Sequence, residues 1–197
     1  MTKYMFVLAM SLFFFVLGAH SGPQSSDSLT TYTNDDLGFS YTYPLQLVPN
    51  TTSFRRTLNA RVTHQEQGIV LVLLSAFEAP IFGKAREGVV ITAEDVAPNG
   101  GNLEARENLR KATIALSMQG WTVLRENMST EFDGQQFIRA DYKHANPTMF
   151  QSVVCTIRRK SILEFIFSAG NEEEVNQLLR SLGTIHFFKP SAKGNSR

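Results

Sequence analysis

Asp141 and His144 are the nearest carboxylate–imidazole pair in this sequence, in the run RADYKHANP, and they are where acid–base or hydrolytic chemistry would begin. A carboxylate that orients an imidazole is the start of a hydrolase site, and the same two groups are a partial metal site. Both uses need a third group. His64 and His186 stand far away in sequence, and no histidine lies two to five residues from another or from Cys155, the spacing that zinc ligands favour. The missing ligand favours a solvated strand-end loop at 141–144, so neither a catalytic residue nor a metal is assigned, and no cofactor is expected. Neither a G-x-S-x-G elbow nor an H-E-x-x-H pair occurs in the sequence. Gly100-Gly101 lacks the remainder of a phosphate loop and reads as a turn. Glu104, Glu107 and Glu126 can be paired on paper, but charged residues on helix and strand surfaces usually only solvate them.

Two basic groups carry the other chemistry worth weighing. Arg55, Arg56 and Arg61 form one, and Arg158, Arg159 and Lys160 the other. Clusters of three are common on neutral proteins and fit soluble loops. Their sharper use is as a docking rim, because arginine serves interfaces well. Cys155, the only cysteine, sits among apolar neighbours in SVVCTI and fits a small buried hydrophobe better than a reactive thiol. It also makes an intramolecular disulfide impossible.

Composition narrows the partners. With 19 basic and 18 acidic residues, no electrostatic bias points to nucleic acid or to an anionic membrane surface. The first 21 residues differ from the rest. Met1-Thr2-Lys3 is a short positive start, residues 4–18 are apolar except for Ser11, and Ala19-His20-Ser21 places small residues around a cut between Ser21 and Gly22. That is a secretory signal pattern, too short in its apolar run for the ~20 residues of a membrane-spanning helix, and without a lipobox cysteine. The expectation is therefore a secreted or periplasmic chain with no stable membrane span after signal removal. Residues 22–30 read as a flexible lead-in, 31–188 as a single domain and 189–197 as a flexible tail.

The elements that would position these residues are legible in part. TTYTN and FSYTYP flank Asp35-Asp36-Leu37-Gly38, the pattern of a hairpin. Period-2 placement sends Phe39, Tyr41 and Tyr43 to one face, where they can cover a core. Residues 45–67 stay open between a short helix begun at Thr51-Thr52-Ser53, with Phe54, Leu58 and Val62 on one side, and a long loop. IVLVLLSAF and GVVITAEDV read as strands, the first apolar enough to be covered on both faces. Residues 102–119 predict a helix with the stripe Ala105, Leu109, Ala112 and Leu116, Asn102 as its cap and Gly120 as its stop. WTVLRE follows as a strand opened by Trp121, a candidate core plug between helix and sheet. Asp133-Gly134 marks a hairpin, and QSVVCTI, Arg158-Arg159-Lys160 and SILEFIFSA another. Asn171-Glu172-Glu173-Glu174 starts an acidic-capped helix with Val175, Leu178, Leu179 and Leu182 inside, Gly183 stops it, and TIHFF closes as a strand. Hairpin connections imply an antiparallel sheet, and two amphipathic helices need faces to cover. The predicted fold is α+β: an antiparallel β-sheet covered by helices on both faces.

Two stretches, YTNDDLGFSYTYP and SVVCTIRRKSILEFIFSAGNEEEVNQLLRSLGTIHF, resemble the PsbP-like family, which includes the extrinsic PsbP protein of photosystem II and bacterial relatives of the DcrB type. The first is similar to the family's opening hairpin running into a proline. The second is similar to its last hairpin, capped helix and final strand. The resemblance spans roughly residues 31–188 and implies an α/β/α sandwich and a non-catalytic module that binds or stabilises another protein, here an extracytoplasmic one. None of the photosystem protein's metal- or partner-linked residues has a matching motif, so none is carried over. The alternatives are a small-molecule or lipid carrier with a cleft between helix and sheet, and a hydrolase built on Asp141 and His144. The sequence leaves oligomeric state open.

Overall fold

The structure is a computed structural model that describes residues 29–44, 46–61, 70–79, 86–95 and 104–189. Along the chain run β1 (Leu29–Asn34), β2 (Phe39–Pro44), β3 (Val48–Pro49), α1 (Thr51–Arg61), β4 (Val70–Phe77), β5 (Gly88–Asp95), α2 (Ala105–Met118), β6 (Trp121–Phe132), β7 (Gln135–Ala145), β8 (Thr148–Arg158), β9 (Ser161–Ala169), α3 (Glu172–Arg180) and β10 (His186–Phe187). They form two antiparallel sheets. One has three strands in the order β1-β2-β10, the other seven in the order β3-β4-β5-β9-β8-β7-β6.

The predicted first hairpin is present, with Asn34 opposite Phe39. The Asn34 side chain accepts from Leu37 N (2.8 Å) and its carbonyl from Gly38 N (2.9 Å), while Gly38 takes φ +66°. Phe39, Tyr41 and Tyr43 are buried and the residues between them only half so, the burial expected of one covered face. Phe39 and Tyr41 both meet Phe165 edge-on, at 6.1 and 5.6 Å between ring centroids. The sequence suggested one sheet, whereas this hairpin joins β10 in a small sheet of its own. Pro44 has no N–H to extend the pairing, and β2 already uses both edges, one for β1 and one for β10.

Two clusters of buried residues divide along the pleat of the large sheet. On β9, Leu163, Phe165 and Phe167 belong to the first cluster, together with the rings of β2 and with Val175, Leu178 and Leu179 of α3. Ile162 and Ile166 belong to the second, with Leu109, Ala112 and Leu116 of α2, Phe54 of α1 and Trp121. Burying one such leucine stabilises by about 2–3 kcal/mol, so each helix is held mainly by its stripe.

Local signals explain most of the boundaries. α1 forms where the sequence left a choice, held by Arg55 Nε donating to Val72 O (2.6 Å) and by Ser75 N donating to Thr51 Oγ1 (3.0 Å). α2 starts at Ala105 with Glu104 in the cap position and no side-chain cap bond; Asn102, the predicted cap, lies outside the described residues. α3 has the predicted cap, with Asn171 Oδ1 accepting from Glu174 N at 2.9 Å, and the Glu174 carboxylate reaches back to Gly170 N at 3.2 Å. Gly183 does not stop the chain as expected. A 3-10 turn (Ser181–Thr184) runs through it and keeps Leu182 buried. Thr184 Oγ1 accepts from Thr42 N (3.0 Å) and donates to Thr42 O (2.8 Å), which ties that turn to β2.

Candidate functional site

Asp141 and His144 are not brought together. Both lie in β7 rather than in a solvated loop, and a separation of three along a strand sends them to opposite faces. Asp141 is buried beside α3. It accepts from Arg125 Nε (2.8 Å), from Arg139 Nε (2.7 Å) and Nη2 (2.9 Å), and from the Ser152 hydroxyl. Arg125 also pairs with Glu172, and Arg139 donates to Asn176 Oδ1 (3.2 Å), so this carboxylate clamps β6, β7 and β8 to α3. A void of about 10 Å³ beside it is at most water-sized. His144 lies on the α2 side, its ring 5.3 Å from that of Trp121 and its Nδ1 3.2 Å from Pro147 O. The period-2 rule, applied to RADYKHA as a strand, would have separated the two.

The basic residues have separate placements. Arg158 turns inward. It donates to Leu37 O (3.2 Å), Gly38 O (3.4 Å) and Phe188 O (3.1 Å), and its guanidinium lies 4.8 Å from the centroid of the Phe187 ring. It joins the β8–β9 hairpin to the small sheet. Arg159 and Lys160 form the two-residue turn, at φ +52° and +64°, and Arg159 donates to Asp36 O (3.3 Å). Arg55 is spent on β4, Arg56 is exposed, and the Arg61 side chain lies outside what is described.

A different polar cluster sits beneath α2, and the sequence reading missed it. Glu164 of β9 is 2% exposed, in the middle of an otherwise apolar strand. Its carboxyl accepts from Thr92 Oγ1 (3.1 Å) and from Asn108 Nδ2. Burial, with the charge of Glu94 nearby, pushes Glu164 up to about 8, against the hydrogen bonds from Thr92 and Asn108, which pull it down. At neutral pH it is mainly a neutral acid. Burial also raises Glu94, with Lys111 opposing, and Glu94 Oε2 and Asn108 Oδ1 are buried without a hydrogen-bond partner among the described residues. Burial likewise raises the Cys155 thiol, which donates to Ala105 O (3.3 Å) as a core residue would. The signal available in sequence was the single Glu in SILEFIFSA: a strand covered on both faces must bury its one charge. Glu104 and Glu126 are exposed, and Glu107 is half-buried and paired with Arg110 at 2.7 Å. Among the described residues no group of three or more His, Cys, Asp and Glu side chains is placed to hold a metal ion.

A larger opening lies elsewhere. A groove of about 380 Å³ runs between the second half of β6 and the end of α3. Met128, Thr130 and Phe132 form one wall, Leu179, Arg180 and Leu182 the other, and Arg139 and Val154 the floor. None of these residues was singled out in the sequence for binding.

Compared with protein-family models and with curated proteins, the chain has no match. Solved structures do resemble it. Cyanobacterial PsbP from Synechocystis sp. superposes with a TM-score of 0.51 at 15% identity, over 86% of this chain and 98% of that one. The Ran-binding protein Mog1p of Saccharomyces cerevisiae superposes with a TM-score of 0.50 at 8% identity, over 82% of this chain and 96% of that one. At such identities the likeness establishes the fold alone, and it is the PsbP-like fold that the two sequence stretches implied.

Proposed function

We propose that this chain is a non-catalytic protein-binding or assembly module that works outside the cytoplasm. The observation that carries the proposal is the groove beside β6, an opening of ligand-site size with apolar walls and an arginine on its rim. The shared fold with a Ran-binding protein supports it by analogy. Two polar groups that the sequence offered for chemistry are occupied: Asp141 clamps strands to α3, and Arg158 ties the two sheets. A layered α/β/α arrangement belongs to the same proposal, supported by α3 and α2 entering different core clusters. Export is supported by the pattern of residues 1–21, with cleavage between Ser21 and Gly22, all outside the described residues. Among the described residues no helix is long and apolar enough to cross a membrane. The partner is then another extracytoplasmic protein.

Site-neutral, amine-reactive crosslinking of the purified chain in a native envelope or medium fraction tests this. Discrete crosslinked species that excess unlabelled chain competes away are expected. Their absence across several salt concentrations would refute the proposal.

A further inference from the structure

We infer that the second half of β6 is a docking edge for an extended peptide with apolar side chains at alternate positions and one acidic residue. The inference rests on the protein-binding proposal and names the partner's chemistry. β6 ends the seven-stranded sheet and, among the described residues, pairs only with β7. An edge strand offers a row of backbone donors and acceptors to any extended chain, and proteins usually blunt such edges with bulges and charges. Here the blunting is uneven. The register with β7 breaks between Val123 and Arg125 and again between Arg125 and Met128, Asn127 sits at φ +57°, and Arg125 and Glu126 add charge. From Met128 opposite Arg139 to Phe132 opposite Gln135 the register is unbroken.

The groove lies along this regular stretch. Phe132 packs with the first core cluster, so by alternation Met128 and Thr130 share its face, which looks toward Leu179 and Leu182. A strand added to β6 would continue the sheet and direct every second side chain over the same groove. Charge decides what else the strand carries. Arg139 on the floor is committed to Asp141 and Asn176. Arg180 on the rim is exposed and has no hydrogen bond or ion pair among the described residues. Of the two acids that flank Phe132, Glu131 points to the other face of β6, where Gln136 donates to it, and Asp133 accepts from Phe187 N (2.6 Å) and lies 3.2 Å from His186 Nδ1. The uncompensated charge at the groove is therefore positive, and its complement is a carboxylate.

A display library of nine-residue peptides, alternating apolar and random positions, is selected against the chain. Enriched peptides should carry Asp or Glu at one fixed position. Arg180→Glu, at an exposed site, should weaken their binding tenfold or more, and replacing the peptide acid by lysine should restore it. Backbone amides of residues 128–132 should gain hydrogen-exchange protection on binding. Thr130→Pro should abolish binding of both peptide types, with its urea midpoint checked against the parent. Equal binding to Arg180→Glu, protection away from β6, or no enrichment above an unrelated β-protein would overturn the inference. A competed partner in the crosslinking experiment without any selected peptide would leave the protein-binding proposal standing and remove this one.

Discussion

Replacing Glu164 with glutamine should stabilise the protein at pH 7 and above and leave it nearly unchanged near pH 4.5. The unfolded carboxyl titrates near 4.5 and the folded one near 8. Between those values the folded state holds a proton that the unfolded state has lost. Raising the pH through that window therefore favours unfolding, and the loss levels off above about 8. At pH 7 the gap from the unfolded value is roughly 2.5 pH units, which at ~1.36 kcal/mol each is about 3 kcal/mol. Glutamine carries no such proton. Its carbonyl can keep the bond from Thr92, and its amide can donate to Asn108 Oδ1, now without a partner, once the Asn108 amide turns over. About 3 kcal/mol is thus a ceiling, reduced by imperfect pairing of the new N–H groups. Glu94 and Lys111 remain in both proteins and largely cancel in the difference. The assay is urea unfolding of both proteins at half-unit steps from pH 4.5 to 9. A difference curve that is flat across the window, or a variant destabilised equally at every pH, would refute the assignment of Glu164 as a buried neutral acid.

Other substitutions separate structural cations from solvated ones. Arg158→Ala removes three carbonyl bonds and the contact with Phe187 and should cost about 2 kcal/mol, against under ~0.5 kcal/mol for Lys160→Ala, in denaturant titrations. Asn171→Ala removes the α3 cap and should lose ~1 kcal/mol by the same assay. A Cβ at Gly88 would stand 2.1 Å from the Phe77 ring, so Gly88→Ala should destabilise by about 1–3 kcal/mol and change the near-ultraviolet dichroism. The Cys155 thiol should react with a thiol-specific disulfide reagent only after unfolding; reaction in the native state would contradict its burial.

Much of this fold was legible because its signals are local. Alternating rings in FSYTYP give a strand with one covered face whatever packs on it. Asp133-Gly134 gives a two-residue hairpin because both positions need left-handed backbone, and they take φ +48° and +71°. Asn171 and the three acids after it give a helix start, since the free N–H groups there need acceptors. The same locality explains the failures. Gly183 is a helix stop by composition, yet Leu182 gains more by staying in the core, so the chain tightens into a 3-10 turn. Arg158 looks like a turn cation, but three carbonyls from distant segments converge on it.

By itself, then, the sequence determined α2, α3, most of the strands and the hairpin pairing of neighbours, because those depend on side-chain period and turn chemistry over a few residues. Only the tertiary structure decided which polar groups meet. Glu164 of β9 finds Thr92 and Asn108, 72 and 56 residues away, and Arg125 of β6 joins Asp141 of β7 to Glu172 of α3. Burial and charge energies depend on distance in space, and separation along the chain does not report that distance.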